Sequence, residues 1–243
     1  MTTHPELVGD YHVHSTFSDD AVSTLAENIA AAAAAGLTEL RLIDHVRAST
    51  TWVPEFVAAV TAEPVPEGLT VLTGVETKLW SVAGDLDVPA DLTGVDAIVI
   101  ADHQWPGVDG PWTPAETIDH ITNGMPRERL LGMFIDASVA AMVRFSSTYP
   151  GKSAQLAHWF SILPKVGLHE DDLLDEHLER WAAAAAATGT VIEVNEKWDC
   201  PGPRAVRAAL AAGARIVAST DSHISTDVGR YERVIAILDE ARR

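Results

Sequence analysis

The chain has 243 residues, 47% of them hydrophobic, with 35 acidic side chains against 17 basic ones and a formal net charge of -18. That apolar content excludes a disordered chain, and the length suits one α/β barrel. The acidity argues against broad binding to nucleic acid or anionic membranes, and the single cysteine, Cys200, excludes an internal disulfide or a CxxC metal site and fits a reducing, cytoplasmic setting.

Residues 1–10 are polar, so no secretory leader is expected. No apolar run approaches the ~20 residues of a membrane span. In chain order, seven short and partly β-branched stretches read as strands: 8–14, 39–43, 70–75, 97–101, 154–157, 191–194 and 215–219. Helical stretches lie between most of them. The Ala-rich runs at 30–35 and 182–187 suit helices, and Gly36 and Gly189 suit their ends. Strand–helix alternation predicts parallel strands joined by crossovers. The expected fold is a distorted (β/α)7 TIM-like barrel forming one domain over 1–243. An open doubly wound sheet is the alternative, but neither a GxGxxG nor a GxxxxGK[ST] loop supports it. The stretch 104–152 opens with Trp105-Pro106-Gly107, then reads as two helices, and is expected to act as a lid or pocket wall.

Metal-type side chains stand where the strands end. They are His12 and His14, Asp44 and His45, Glu76, Asp102 and His103, His158, Glu193 and Asn195, then Asp221 and His223. The C-terminal end of a barrel strand is where barrel enzymes place their chemistry. In His12-Val13-His14 the two imidazoles share one strand face, about 6.5–7 Å apart along the chain. Asp221-Ser222-His223 repeats that spacing on the last strand. His4, His120, His169 and His177 fall elsewhere and are read as surface or lid residues. Mixed imidazole and carboxylate donors suit zinc, iron(II) or manganese, and their number implies two to three divalent ions. Such ions lower the pKa of bound water.

In order, the pieces Asp10-Tyr11-His12-Val13-His14, Phe17-Ser18-Asp19-Asp20-Ala21, Ile43-Asp44-His45, Gly74-Val75-Glu76, Asp102-His103, Ala157-His158, Glu193-Val194-Asn195 and Thr220-Asp221-Ser222-His223 resemble the PHP family, the polymerase and histidinol phosphatase superfamily. The resemblance covers nearly the whole chain. It implies a trinuclear centre with a metal-bridging hydroxide. His12, His14, Glu76 and Asp221 would hold one ion. Glu76 would bridge to a second, with His103 and His158. Asp20, His45 and His223 would hold a third. Asp19 and Asp20 are both available at the third site, and the resemblance to the family's stand-alone phosphatases favours Asp20, with Asp19 the alternative. Histidinol phosphatases of the family have a Ser-Gly-Leu-Arg-like stretch after the Glu-x-Asn motif. Here it is Glu196-Lys197-Trp198-Asp199, so the usual arginine is absent.

Around these positions Arg47, Lys78, Lys197 and Arg230 are candidate phosphate contacts, with Glu193 and Asn195. Trp105, Trp159 and Trp198 follow ligand positions closely and are expected to wall the mouth, as Trp80 would. Asp221 and His223 are the candidate proton-moving groups. The expected activity is hydrolysis of a small phosphate monoester. A metal-dependent amide or lactone hydrolase is the alternative. A nuclease is disfavoured by acidity, and a non-catalytic module would not need a full ligand set.

Overall fold

The computed structural model describes residues 4–243; the expectation about a leader falls partly outside them, at residues 1–3. Seven parallel strands pair in sequence order: β1 (Gly9–Val13), β2 (Glu39–His45), β3 (Thr70–Lys78), β4 (Ala97–Ala101), β5 (Ser153–Ala157), β6 (Val191–Asn195) and β7 (Ile216–Ser219). The ring closes just past β7, where His14 N donates to Ser222 O at 2.8 Å and Val13 bridges Ser222 in parallel. This is the nearly closed, TIM-like barrel that strand–helix alternation predicts.

Helices α1 (Leu25–Ala34), α2 (Val53–Ala62), α3 (Pro114–Thr122), α4 (Arg127–Thr148), α5 (Asp175–Thr188), α6 (Pro203–Ala212) and α7 (Arg233–Ala241) lie between or after the strands. Their starts are legible in the chain. Thr24 with Glu27, and Thr113 with Glu116, form reciprocal capping boxes that satisfy the first free N–H groups of α1 and α3. Gly189 ends α5 at a φ of 72°, a left-handed conformation that costs glycine little.

The stretch 104–152 does contain two helices. Helix α4 is the β4-to-β5 crossover and buries Leu130, Phe134, Ala137 and Phe145 in the barrel wall. It is also long and apolar enough, by length and composition alone, to cross a membrane, although half of its apolar window is buried in the fold. Core packing accounts for that composition. The remainder, with α3, is the part that a lid would use. Two of the four outlying histidines differ from expectation: His4 bonds Asp239 and Arg242, and His177 caps α5, and both are buried.

Inside the barrel, Tyr11 packs with Val191 and Val217 at the floor, and Ile43, Val99, Ala101 and Ala157 form a layer of their own. The register between β1 and β2 slips between Asp10 and Val13. A bulge of this kind re-aims side chains. Tyr11 thereby joins the floor while His12 and His14 reach the mouth.

Candidate metal centre

Strand ends carry the donors to one place. Glu76, on β3, is the hub and is buried. Its Oε2 lies 2.8 Å from His45 Nδ1, 3.4 Å from His14 Nε2 and 3.5 Å from His12 Nε2. Its Oε1 lies 3.1 Å from His158 Nε2 and 3.2 Å from His103 Nε2. One carboxylate therefore faces five imidazoles. On the other side Asp221 Oδ1 is 3.2 Å from His14 Nε2 and 3.8 Å from His12 Nε2. At the rim Asp20 Oδ2 is 3.2 Å from His223 Nε2 and 3.5 Å from His45 Nε2. Among the described residues no imidazole comes within 4.0 Å of Asp19, so Asp20 is the carboxylate that stands beside His45 and His223.

Three donor groups emerge, each with its ligand atoms within 4.8 Å of one another: His12, His14 and Asp221; His45, Glu76 and His103; and His14, His45 and His223. They overlap at His14 and His45. The sequence placed His45 only beside Asp20 and His223; the structure also turns its Nδ1 onto Glu76.

These residues fit divalent ions. His12 Nε2 and His14 Nε2 face each other at 2.9 Å, and Glu76 Oε2 is buried without a well-directed hydrogen bond despite three nearby nitrogens. Donor atoms that converge on a point rather than pair with one another suit a shared cation. The electrostatics agree. Burial pushes Glu76 and Asp221 up most strongly, but His103 and His12 around the first, and His12 and His14 around the second, together hold both carboxyls well below their usual range. Burial lowers His14 to about 4, which leaves its imidazole neutral and able to ligate.

A second ring of side chains holds the donors, and sequence reasoning assigned most of it no such role. Asp102 lies 3.2 Å from His158 Nδ1 and accepts from Ser161 Oγ at 2.6 Å. Asp44 accepts from Ser15 Oγ and Ser18 Oγ, both at 2.6 Å, and Ser18 Oγ in turn accepts from His45 N at 3.0 Å. Asp10 accepts from Thr220 Oγ1 at 2.6 Å and from Gly229 N at 3.0 Å, tying β1 to the segment after β7. The Asp-His pairs at the ends of β2 and β4 are the available signal. Strand alternation turns the two members of each pair to opposite faces, so the histidine enters the mouth while the aspartate braces other groups, Asp102 the His158 ring and Asp44 the Ser15 and Ser18 hydroxyls. His158 and Asp221 both have positive φ, 34° and 52°, which places backbone strain at two donor positions.

Several expected substrate contacts lie elsewhere. Trp105 and Trp159 are fully buried on either side of Phe134, at centroid distances of 5.2 and 5.3 Å. They are core residues and wall no cleft, because large apolar rings recover more free energy in the core than at a wet rim. Glu193 and Asn195 are also fully buried. Glu193 meets His12 Nδ1 at 3.0 Å, and Asn195 Nδ2 donates to Glu193 Oε1 at 2.5 Å, so both support a donor and touch no cleft. Trp198 is partly exposed, and its Nε1 donates to Asp221 Oδ2 at 2.6 Å.

The expected cations do stand around the donors. Arg47 and Lys78 line a cleft of ≈ 470 Å³ with Asp19, Asp20, His45, Glu76 and His103. Lys197 and Arg230 line another of ≈ 430 Å³ with Thr220 and Asp221. Lys197 Nζ lies 3.2 Å from His223 Nδ1 and 3.4 Å from Asp221 Oδ2, and Lys78 Nζ donates to Gln104 Oε1 at 3.1 Å.

Comparisons with known proteins agree with this arrangement. The chain is 26% identical to a protein named "Probable phosphatase" from Acetivibrio thermocellus, covering 97% of this chain and 87% of that one. It is 24% identical to another of that name from Shewanella oneidensis, covering 95% and 82%. Among solved structures it resembles the histidinol phosphate phosphatase of Lactococcus lactis, described as complexed with zinc, L-histidinol and phosphate, with a TM-score of 0.56 and 15% identity over 96% of this chain and 93% of that one. At that identity the likeness concerns the fold. A family model described as the PHP domain matches residues 10–197, a span that includes seven of the nine expected donor positions, all but Asp221 and His223. With more than half of its length matched, the chain belongs to the PHP domain family.

Proposed function

We propose that the phosphatase activity of this family takes, in this chain, the form of hydrolysis of a small organic phosphate monoester at a three-ion centre. The observation that carries this is Glu76 among five imidazoles, with three overlapping donor groups around it. His12, His14, Glu76 and Asp221 would hold the first ion; Glu76, His103 and His158 the second; Asp20, His45 and His223 the third. Divalent ions there supply a water of lowered pKa and offset charge on phosphoryl oxygens.

The protein's own groups do the rest. Lys78 and Arg47 on one side, and Lys197 and Arg230 on the other, bind the non-bridging oxygens and orient the ester. His223, at the rim, hands the leaving oxygen the proton it needs, while Asp221, ionised and steadied by the Trp198 indole N–H, accepts one from the attacking water. An amide or lactone substrate drew its support from tryptophans around the mouth and from the arginine missing after the Glu-x-Asn motif. The burial of Trp105 and Trp159 weakens that support and leaves only Trp80 and Trp198 exposed.

The test is turnover by protein loaded with zinc, iron(II) or manganese, on a panel of phosphate monoesters, phosphodiesters, amides and lactones. Phosphate release from a small monoester, abolished by a chelator, is expected. Turnover of amides or lactones alone would overturn it.

A further inference from the structure

One inward position of the barrel departs from what barrels ordinarily hold. Layers inside such barrels are filled by branched aliphatic side chains. On β2 the inward series is Arg41, Ile43 and His45, and Arg41 is 5% exposed. Among the described residues it has no carboxylate within 4.0 Å. Burying a guanidinium without one is costly, so what it touches matters.

Its Nη1 donates to Gln155 Oε1, on β5. Gln155 Nε2 donates to Glu193 Oε2 at 2.6 Å and to Tyr11 O at 3.0 Å. Glu193 also accepts from His158 N at 3.2 Å, and its Oε2 meets His12 Nδ1 at 3.0 Å. Gln155, Glu193 and His12 are all fully buried. The polarity of the chain is forced. Arginine has only donors, so the Gln155 oxygen faces it and the Gln155 nitrogen faces the carboxylate. A carboxylate only accepts, so His12 Nδ1 is the donor and Nε2 is the atom left toward His14, Glu76 and Asp221. A flipped Gln155 amide would set oxygen against carboxylate and N–H against guanidinium.

We propose that Arg41 and Gln155 are positioning residues, which act from the barrel floor through Glu193 to fix the ring orientation of His12 and so the ion it helps to hold. This rests on the metal-centre assignment made above, but not on the substrate being a phosphate. A merely structural strut would be replaceable by an aliphatic side chain of equal volume without consequence at the mouth. This one would not be. Residues that orient a ligating histidine from behind are worth roughly ten- to hundred-fold in metal affinity.

The experiment is a cobalt(II) titration of metal-depleted full-length protein, followed by visible absorption and by elemental analysis, for wild type, Arg41→Met, Gln155→Leu and the double variant. Expected are a roughly ten- to hundred-fold weaker binding of one ion, an altered cobalt spectrum, and a double variant no worse than the poorer single one, since both act on one chain of contacts. Arg41→Lys, which keeps a donor, should recover part of the loss. Metal-free melting temperatures report folding separately. Where Arg41→Met or Gln155→Leu does not fold, Arg41→Lys and Gln155→Met are read in their place. Folded variants with wild-type affinity and spectrum overturn the proposal while leaving the centre intact. Wild-type protein that takes up no ion overturns the centre itself.

Discussion

His12 Nε2 and His14 Nε2 point at each other across 2.9 Å in the buried mouth of the barrel. Two imidazole nitrogens at that distance need a proton or a cation between them, and burial keeps His14 neutral, with its pKa at about 4. The cation is the better occupant, because Glu76 and Asp221 face the same point with carboxyls held well below their usual range. Zinc or manganese added to chelator-treated protein should therefore raise Tm; at a hundredfold excess over Kd one site contributes about 2.7 kcal/mol. Elemental analysis should find two to three equivalents. Glu76→Gln should lose more than one equivalent at once, because both oxygens of Glu76 serve. A loss of one equivalent or none would contradict a bridging role.

The tryptophans divide by burial. Trp159→Ala should cost about 3–5 kcal/mol of stability, as for large aromatic truncations in cores, and leave KM unchanged at temperatures where the variant is folded. Trp198→Phe should do the reverse. It keeps the ring but removes the N–H that meets Asp221 at 2.6 Å. A hydrogen bond to a charged group is worth about 1.5–3 kcal/mol, so kcat/KM should fall roughly ten- to hundred-fold, with Tm little changed. Thermal melts and steady-state kinetics on the two variants check both halves.

These two residues also show where sequence reading reached and where it stopped. β4 was legible to the residue because Ala97–Ala101 is an unbroken apolar run. β2 and β3 run on past their predicted ends to His45 and Lys78, because there the polar residues that close an apolar run are themselves strand, paired in register as His45 with Glu76. The donors were legible because chemistry constrains residue type. Direction was not. Trp159 follows His158 in the chain, but the φ of 34° at His158 sends the next side chain into the core. Glu193 and Asn195 were recognisable as site residues, while the turn of Glu193 toward His12 rather than toward the cleft, braced by Gln155 and Asn195, is a contact between strands that spacing does not reveal.

Glu170 offers a pH test away from the donors. Its Oε2 accepts from Gly202 N at 2.7 Å, and burial raises its pKa from 4.5 to about 7. Between those values the folded protein holds a proton that the unfolded chain has released. Stability must therefore fall as pH rises through that window. Glu170→Gln keeps an acceptor for Gly202 and removes the ionisation. Its Tm should be close to that of wild type near pH 5 and higher near pH 8. Parallel Tm profiles for the two proteins would show that Glu170 does not titrate in this way.

Lys78 and Lys197 test the substrate. Lys78 reaches its cleft from β3, with Asp87 Oδ2 at 3.8 Å as its nearest carboxylate, while Lys197 leans on Asp221 at 3.4 Å. Lys197 is exposed and its loss should barely move Tm, since exposed ion pairs contribute little, whereas Lys78 is half-buried against Asp87 and Gln104 and its variant's Tm is read beside its kinetics. Each charge-assisted hydrogen bond to a phosphoryl oxygen is worth about 1.5–3 kcal/mol. Lys78→Ala and Lys197→Ala should thus each lower kcat/KM for a phosphate monoester by roughly ten- to hundred-fold. Inorganic phosphate, the product, should inhibit competitively in the wild type and more weakly in the same variants. The two measurements discriminate. A lysine that merely tunes Asp221 or the fold would depress turnover and leave phosphate inhibition intact, whereas a lysine that grips the phosphoryl group must weaken both together.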